Sequence, residues 1–169
     1  RNVDAILKEM NLEVTEQNRR AVRILGYNHM EVTEENISKM KTADQEVQTL
    51  LERMQPGVTL EIIRKGINPL DMTIEKLNDI AAEVQDELGV PKEKYSEFLW
   101  KVEKSNEITK EEKEAYIGVY RLLHRVEQSD GAVIGSVLNQ NAQLNLRNLL
   151  SAVRNKKKEG MDIKIDDEF

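Results

Sequence analysis

The sequence predicts an all-α fold, an irregular multi-helix stack of short capped helices with a partial internal repeat. Three observations carry that expectation. Residues 26–40, GYNHMEVTEENISKM, return forty positions later as residues 66–80, GINPLDMTIEKLNDI. The copies share Gly26/Gly66, Asn28/Asn68 and Thr33/Thr73, and match conservatively at Tyr27/Ile67, Met30/Leu70, Glu31/Asp71, Val32/Met72, Ile37/Leu77 and Met40/Ile80. Four threonines, Thr15, Thr33, Thr73 and Thr109, stand where a helix N-cap belongs, each with an oxygen able to accept from a backbone amide two or three residues on. Apolar residues then recur at the three-or-four spacing of a helix with one buried face.

The repeat is read as a stop, a turn and a start. Gly26 and Gly66 precede their threonines by seven residues, where a left-handed residue would end the preceding helix. Val32 with Ile37 and Met72 with Leu77 have the spacing of a hydrophobic staple, and Thr109 with Glu112 that of a capping box. Shorter echoes lie at NLEVTEQN, residues 11–18, and EITKEE, residues 107–112.

In chain order, helices are expected at residues 2–10, at 16–25 ending on Gly26, and at 34–54 with a kink allowed at Thr42. Pro56-Gly57 is expected to end that helix. A brief helix at 60–65 would close on Gly66. Residues 74–88 are the cleanest amphipathic segment, stopped by Gly89. Further helices are expected at 92–104, 110–128, 132–138 and 144–157, the last closed by Gly160. The helix at 110–128 is apolar round more than a stripe, so it should be largely surrounded, and Gly118 inside it suggests close approach of a neighbouring helix. The tail at 161–169 alternates apolar and polar residues before an acidic end, a strand-like pattern. This divides the chain into an N-terminal lobe at 1–89 holding the repeat, a C-terminal lobe at 90–160 and the tail.

Composition narrows the function. Charged residues make up 33% of the 169 and the net charge is −6, with a mean hydropathy of −0.60. Nucleic acid is therefore disfavoured as main partner, since phosphate binding needs a dense basic surface. No cysteine is present, which removes disulfides and thiolate chemistry. No apolar run approaches the roughly 20 residues of a membrane helix. Because it begins at Arg1, the chain is expected to be a piece of something longer.

Reactive residues are few. His29 sits where the sister copy has Pro69 and reads as a surface residue. His124, between Leu123 and Arg125, reads as a boundary histidine without the oriented partner a general base needs. GAVIGS at 131–136 lacks the lysine of a phosphate loop and reads as helix packing through small residues. Tyr95, Trp100, Tyr116 and Tyr120 read as core at helical spacing, with a pocket lining as the alternative. No catalytic, cofactor-binding or metal site is expected. The cluster Arg154, Lys156, Lys157 and Lys158 is the one candidate contact for an anionic partner, opposed by acidic residues that follow at once.

The TEEN-type helix openings, the GINPLDM turn and the C-terminal LRNLLSAVRNKKKEGMDIKIDDEF resemble a family of uncharacterised helical proteins from clostridia and other Firmicutes, encoded near flagellar genes. The resemblance implies a role in a larger assembly protein. No functional residues come with it. The expected function is a non-catalytic protein-interaction or scaffolding module, cytoplasmic, with export by a flagellar-type route as an alternative. Its partner is expected to be protein and its cofactor none. The rival readings are a carboxylate-based enzyme using His124 or Tyr120, and a weak nucleic-acid binder in which Arg147, Arg154, Lys156, Lys157 and Lys158 are joined in space by Arg19, Arg20 or Arg23.

Overall fold

Residues 2–158 are described by a computed structural model, Lys157 and Lys158 by backbone alone. Among them the chain forms nine α-helices, one 3-10 turn and no strand. They are α1 (Val3–Glu9), α2 (Glu16–Tyr27), α3 (Glu34–Arg53), α4 (Pro56–Arg64), α5 (Ile74–Leu88), α6 (Tyr95–Lys104), α7 (Lys110–Gln128), α8 (Ala132–Asn139) and α9 (Leu146–Lys158), with the 3-10 turn at Pro69–Asp71. The fold is all-α. Gly160 and the tail at 161–169 lie outside the described residues.

Helix starts are built by side chains. Thr15, Thr33, Thr73 and Thr109 hold extended backbone, and each Oγ1 accepts from the amide three residues on at 3.1 Å. Glu112 returns the bond, accepting from the Thr109 amide at 2.9 Å, and that backbone bond holds its carboxyl below the usual range. Behind two caps stands a second clamp that sequence reading passed over. Asn18 and Asn36 donate their amide groups to the carbonyls of Glu13 and Glu31, both at 2.8 Å. A fifth cap repeats the device: Asn145 accepts from Asn148 N at 2.8 Å while Asn148 donates to Gln143 O at 2.7 Å.

Helix ends depart from expectation in three places. Gly26 does not stop α2, which runs on to Tyr27; Asn28 caps it and His29 takes the left-handed conformation at φ 53°. Pro56 and Gly57 open α4 rather than merely closing α3, because proline at the first helical position has no amide to waste and a backbone angle already suited to the helix. Residues 91–94 are not helical. Gln55 accepts from Glu93 N at 3.1 Å, and Val90 packs so tightly on Gly57 that a Cβ there would lie 2.8 Å from Val90 Cγ1; both contacts tie this stretch to the start of α4. The kink allowed at Thr42 is absent, its hydroxyl donating back to Ser38 O at 3.1 Å within an unbroken α3.

Two cores result. The larger takes Ile24 and Leu25 from α2, Met40 and Leu50 from α3, Leu77 and Ala81 from α5, Leu122 and Val126 from α7, Ile134 from α8 and Leu149 from α9. It draws on both sides of position 89/90. The smaller joins Leu60, Leu99 and Tyr116 from α4, α6 and α7, with Tyr95 bonded through its hydroxyl to Thr59 and to Met54 O, both at 2.6 Å. Burial pushes the phenols of Tyr95 and Tyr116 up. These rings are core. Trp100 is not: it is 63% exposed, with the Lys104 ammonium 4.7 Å above its ring.

The caps of α5 and α9 lie side by side, Thr73 and Asn145 forming an isolated antiparallel bridge in which Ile74 N donates to Leu144 O at 2.9 Å. Arg147, the second residue of α9, then reaches Asp71 at 2.6 Å. The Pro69–Asp71 turn is thereby held against α9, beside α7.

Candidate docking groove

The arginines divide into those that bond a partner among the described residues and those that do not. Arg20 of α2 grips Asp44 of α3 through two bonds, 2.7 and 2.9 Å, and reaches Asp130 at 3.0 Å. Asp44 has only 4% of its side chain exposed, so this pair stands in a setting of weak screening. Arg23 and the Tyr27 hydroxyl converge on the same Asp130 at 3.3 and 2.8 Å. Arg19 pairs with Asp4, Arg64 with Glu112 and Arg147 with Asp71, and Arg53 donates to Asn78 O at 3.2 Å.

Arg121, Arg125 and Arg154 make no ion pair with any described residue, and the Arg125 Nε is buried without a hydrogen-bond partner. All three line one cavity. It measures about 360 Å³ and lies between α7, α9 and the Pro69–Asp71 turn, with Leu70, Val119, Leu122 and Leu150 supplying an apolar floor. Arg121 and Arg125 are one helical turn apart on α7, a like-charged spacing that costs a few tenths of a kcal/mol unless an anion lies between. In a chain of net charge −6, three unneutralised guanidinium groups over apolar side chains make a local positive field that a low-dielectric floor strengthens.

Gly118 has a different meaning here from the one its position suggests. A Cβ at Gly118 would meet nothing within 4 Å, so no neighbouring helix approaches it. It lines the groove instead, together with Ala115, and leaves this side of α7 uncovered rather than surrounded. Close approach through small residues occurs elsewhere. At Gly135 of α8 a Cβ would sit 2.7 Å from Ile24 Cγ2 and collide with the Asn28 amide, which is how the GAVIGS segment seats itself on α2.

Of the expected anion contacts, Arg154 is exposed and in the groove. Lys156 is 6% exposed and is thereby withdrawn from any surface cluster; its place on α9 turns it toward the packed side. The side chains of Lys157 and Lys158 are outside the described set. Arg19, Arg20 and Arg23 are engaged with carboxylates, and so is Arg147, which leaves Arg154 as the exposed, unpaired member of that grouping among the side chains described. His29 is exposed on its turn, and His124 is half-buried, stacked on Tyr120 at 5.6 Å. Sequence reading missed Arg121, Arg125 and Gly118 as a set. The available signal was an uncompensated arginine pair four residues apart with a glycine one turn upstream.

Residues 1–150 match the model of a family of unknown function, DUF6240. The chain belongs to that family. No curated protein and no solved structure matches it. The DUF6240 match takes in the Pro69–Asp71 turn, α7 and the first turn of α9, so Leu150 is its last groove residue and Arg154 lies just past it. Among the described residues, no helix is long and apolar enough to cross a membrane.

Proposed function

We propose that this chain is a non-catalytic protein-interaction module of a larger bacterial assembly, and that the α7–α9 groove is its docking face. The flagellar setting is part of the proposal and comes from the sequence resemblance. A single observation supports the reading. Every other described arginine bonds a partner among the described residues, whereas Arg121, Arg125 and Arg154 make no ion pair with any of them and stand around one apolar-floored cavity. Unspent charge at the rim with greasy side chains at the centre is the anatomy of an interface, where apolar anchors supply affinity and charges choose the partner.

The test uses Gly118→Leu. Leucine is a better helix residue than glycine by roughly 1 kcal/mol, and the space it would enter is empty, so the variant should fold at least as stably as the parent while its groove is filled. A photocrosslinking residue at Ala115 in the intact protein, expressed in its own host, should capture a protein partner. Gly118→Leu, placed with it, should abolish the capture. Capture that survives both Gly118→Leu and the pair Arg121→Glu/Arg154→Glu would show that the groove is not the docking face.

A further inference from the structure

The groove offers Arg121, Arg125 and Arg154 over a floor of Leu70, Val119, Leu122 and Leu150, so its occupant must carry closely spaced carboxylates beside an aliphatic side chain. The described surface of this chain holds such a patch at the C-terminal end of α5. Among the described residues, the large apolar side chains most exposed are Tyr27, Leu88 and Trp100. Tyr27 is bonded through its hydroxyl to Asp130, and Trp100 carries the Lys104 ammonium over its ring. Leu88, 51% exposed, instead ends α5 beside three exposed carboxylates, Glu83, Asp86 and Glu87. Glu83 and Asp86 make no ion pair with any described residue, and Lys65 reaches Glu87 only at 3.7 Å. The last turn of α5 holds no basic residue, so these charges face the negative end of their own helix dipole. Glu83 and Glu87 stand four residues apart, as Arg121 and Arg125 do. Each pair repels itself when alone, and each matches the other's spacing of about 6 Å.

We propose that the α7–α9 groove binds the C-terminal end of α5 from a second copy of this chain, with Glu83 and Glu87 meeting Arg121 and Arg125, Arg154 closing from α9, and Leu88 on the apolar floor. This rests on reading the groove as a docking face and names its occupant. One molecule cannot satisfy itself. The groove lies near the start of α5, whose first residue, Ile74, bonds Leu144 just before α9. Leu88 is the last residue of the same helix, roughly 20 Å away at 1.5 Å per residue. Because the two surfaces differ, the contact is heterologous, and copies add head to tail into a ring or an open chain. The patch is small, which makes the contact a transient one and calls for a trapping experiment.

The absence of cysteine lets single thiols report the contact in the full chain. An Asp86→Cys chain mixed with an Ala115→Cys chain should form a disulfide-linked heterodimer about tenfold faster than either chain pairs with itself. The same advantage should hold over a mixture of Asp86→Cys with Gln45→Cys, an exposed position on α3 that does not line the groove. Adding Leu88→Ser to the first chain, or Gly118→Leu to the second, should remove it. Arg121→Glu/Arg154→Glu in the second chain should slow the heterodimer by about tenfold. Glu83→Lys/Glu87→Lys in the first should then restore it, a rescue that variants which merely unfold could not show. Rates equal to the control, or indifferent to the charge reversals, would overturn the proposal. Faster pairing of the Ala115→Cys chain with itself would also overturn it, in favour of groove against groove. The outcome is separable from that of the docking proposal. Capture of a different protein at Ala115 without a disulfide between copies removes only the second copy, and the charge-dependent disulfide without capture in the host removes only the docking role there.

Discussion

Residues 26–40 and 66–80 share glycine, asparagine and threonine at the same offsets, yet only half of each copy does the same work. The threonine half makes the same cap: Thr33 and Thr73 each accept from the amide three residues on at 3.1 Å, though φ is −115° at Thr33 and −62° at Thr73. The glycine half differs. Gly66 is left-handed at φ 76°, whereas in the first copy that role passes to His29, at the position of Pro69. Asn28 closes a helix and also donates to Ala132 O of α8 at 3.0 Å; Asn68 opens the 3-10 turn, accepting from Leu70 N at 3.1 Å. A cap needs a particular side chain and is therefore written in the sequence. Glycine permits a left-handed turn without demanding one, so its partner residues and the next helix decide whether the freedom is used.

Substitutions that transplant one copy's residues into the other test this division. The largest effect should come from His29→Pro, which imposes the sister copy's proline. Its ring holds φ near −65° against an observed 53° and deletes the His29 N–H bond to Gly26 O, so urea unfolding should register a loss of about 3 kcal/mol or more. A neutral result would mean the two turns are interchangeable. Next is Gly135→Ala, which acts only on the first copy because only Asn28 lies under α8. Overpacking there should cost about 1–3 kcal/mol by thermal melting, and a cost near zero would dissolve the asymmetry between the copies.

Smaller still are the caps. Thr33→Ala and Thr73→Ala should each lose about 1 kcal/mol, and near-equality of the two is what the shared geometry requires. The finest discrimination comes from the paired glycines. Gly66→Ala should destabilise by about 1 kcal/mol, because alanine resists the left-handed conformation. Gly26→Ala, inside α2 and with nothing within 4 Å of the new methyl group, should instead stabilise by roughly 0.5–1 kcal/mol. Two aligned glycines giving the same sign of effect would refute the distinction.

This pattern also explains what was legible beforehand. The four threonine caps, the Thr109–Glu112 box and the limits of α5 and α7 could be read off because each depends on residues within about one turn of one another. The end of α2 was misplaced because Asn28 is committed by Ala132, more than a hundred residues away. The non-helical 91–94 is likewise set by Gln55 and Gly57. The groove is the extreme case. It gathers Leu70, Gly118, Arg121, Arg125 and Arg154 from three separate elements; the Arg121/Arg125 spacing is visible locally, but that neither finds an ion-pair partner elsewhere among the described residues is not.

The bridge between Thr73 and Asn145 has a consequence for the order in which this molecule can be assembled. It joins segments roughly 70 residues apart, so its loop-closure entropy must be met late, after the local helices have formed. Emerging from a ribosome, the chain would hold α7 and the Pro69–Asp71 turn well before α9 exists to wall them in. The cavity can therefore close only once α9 has been made and docked, after α7 and the Pro69–Asp71 turn are in place.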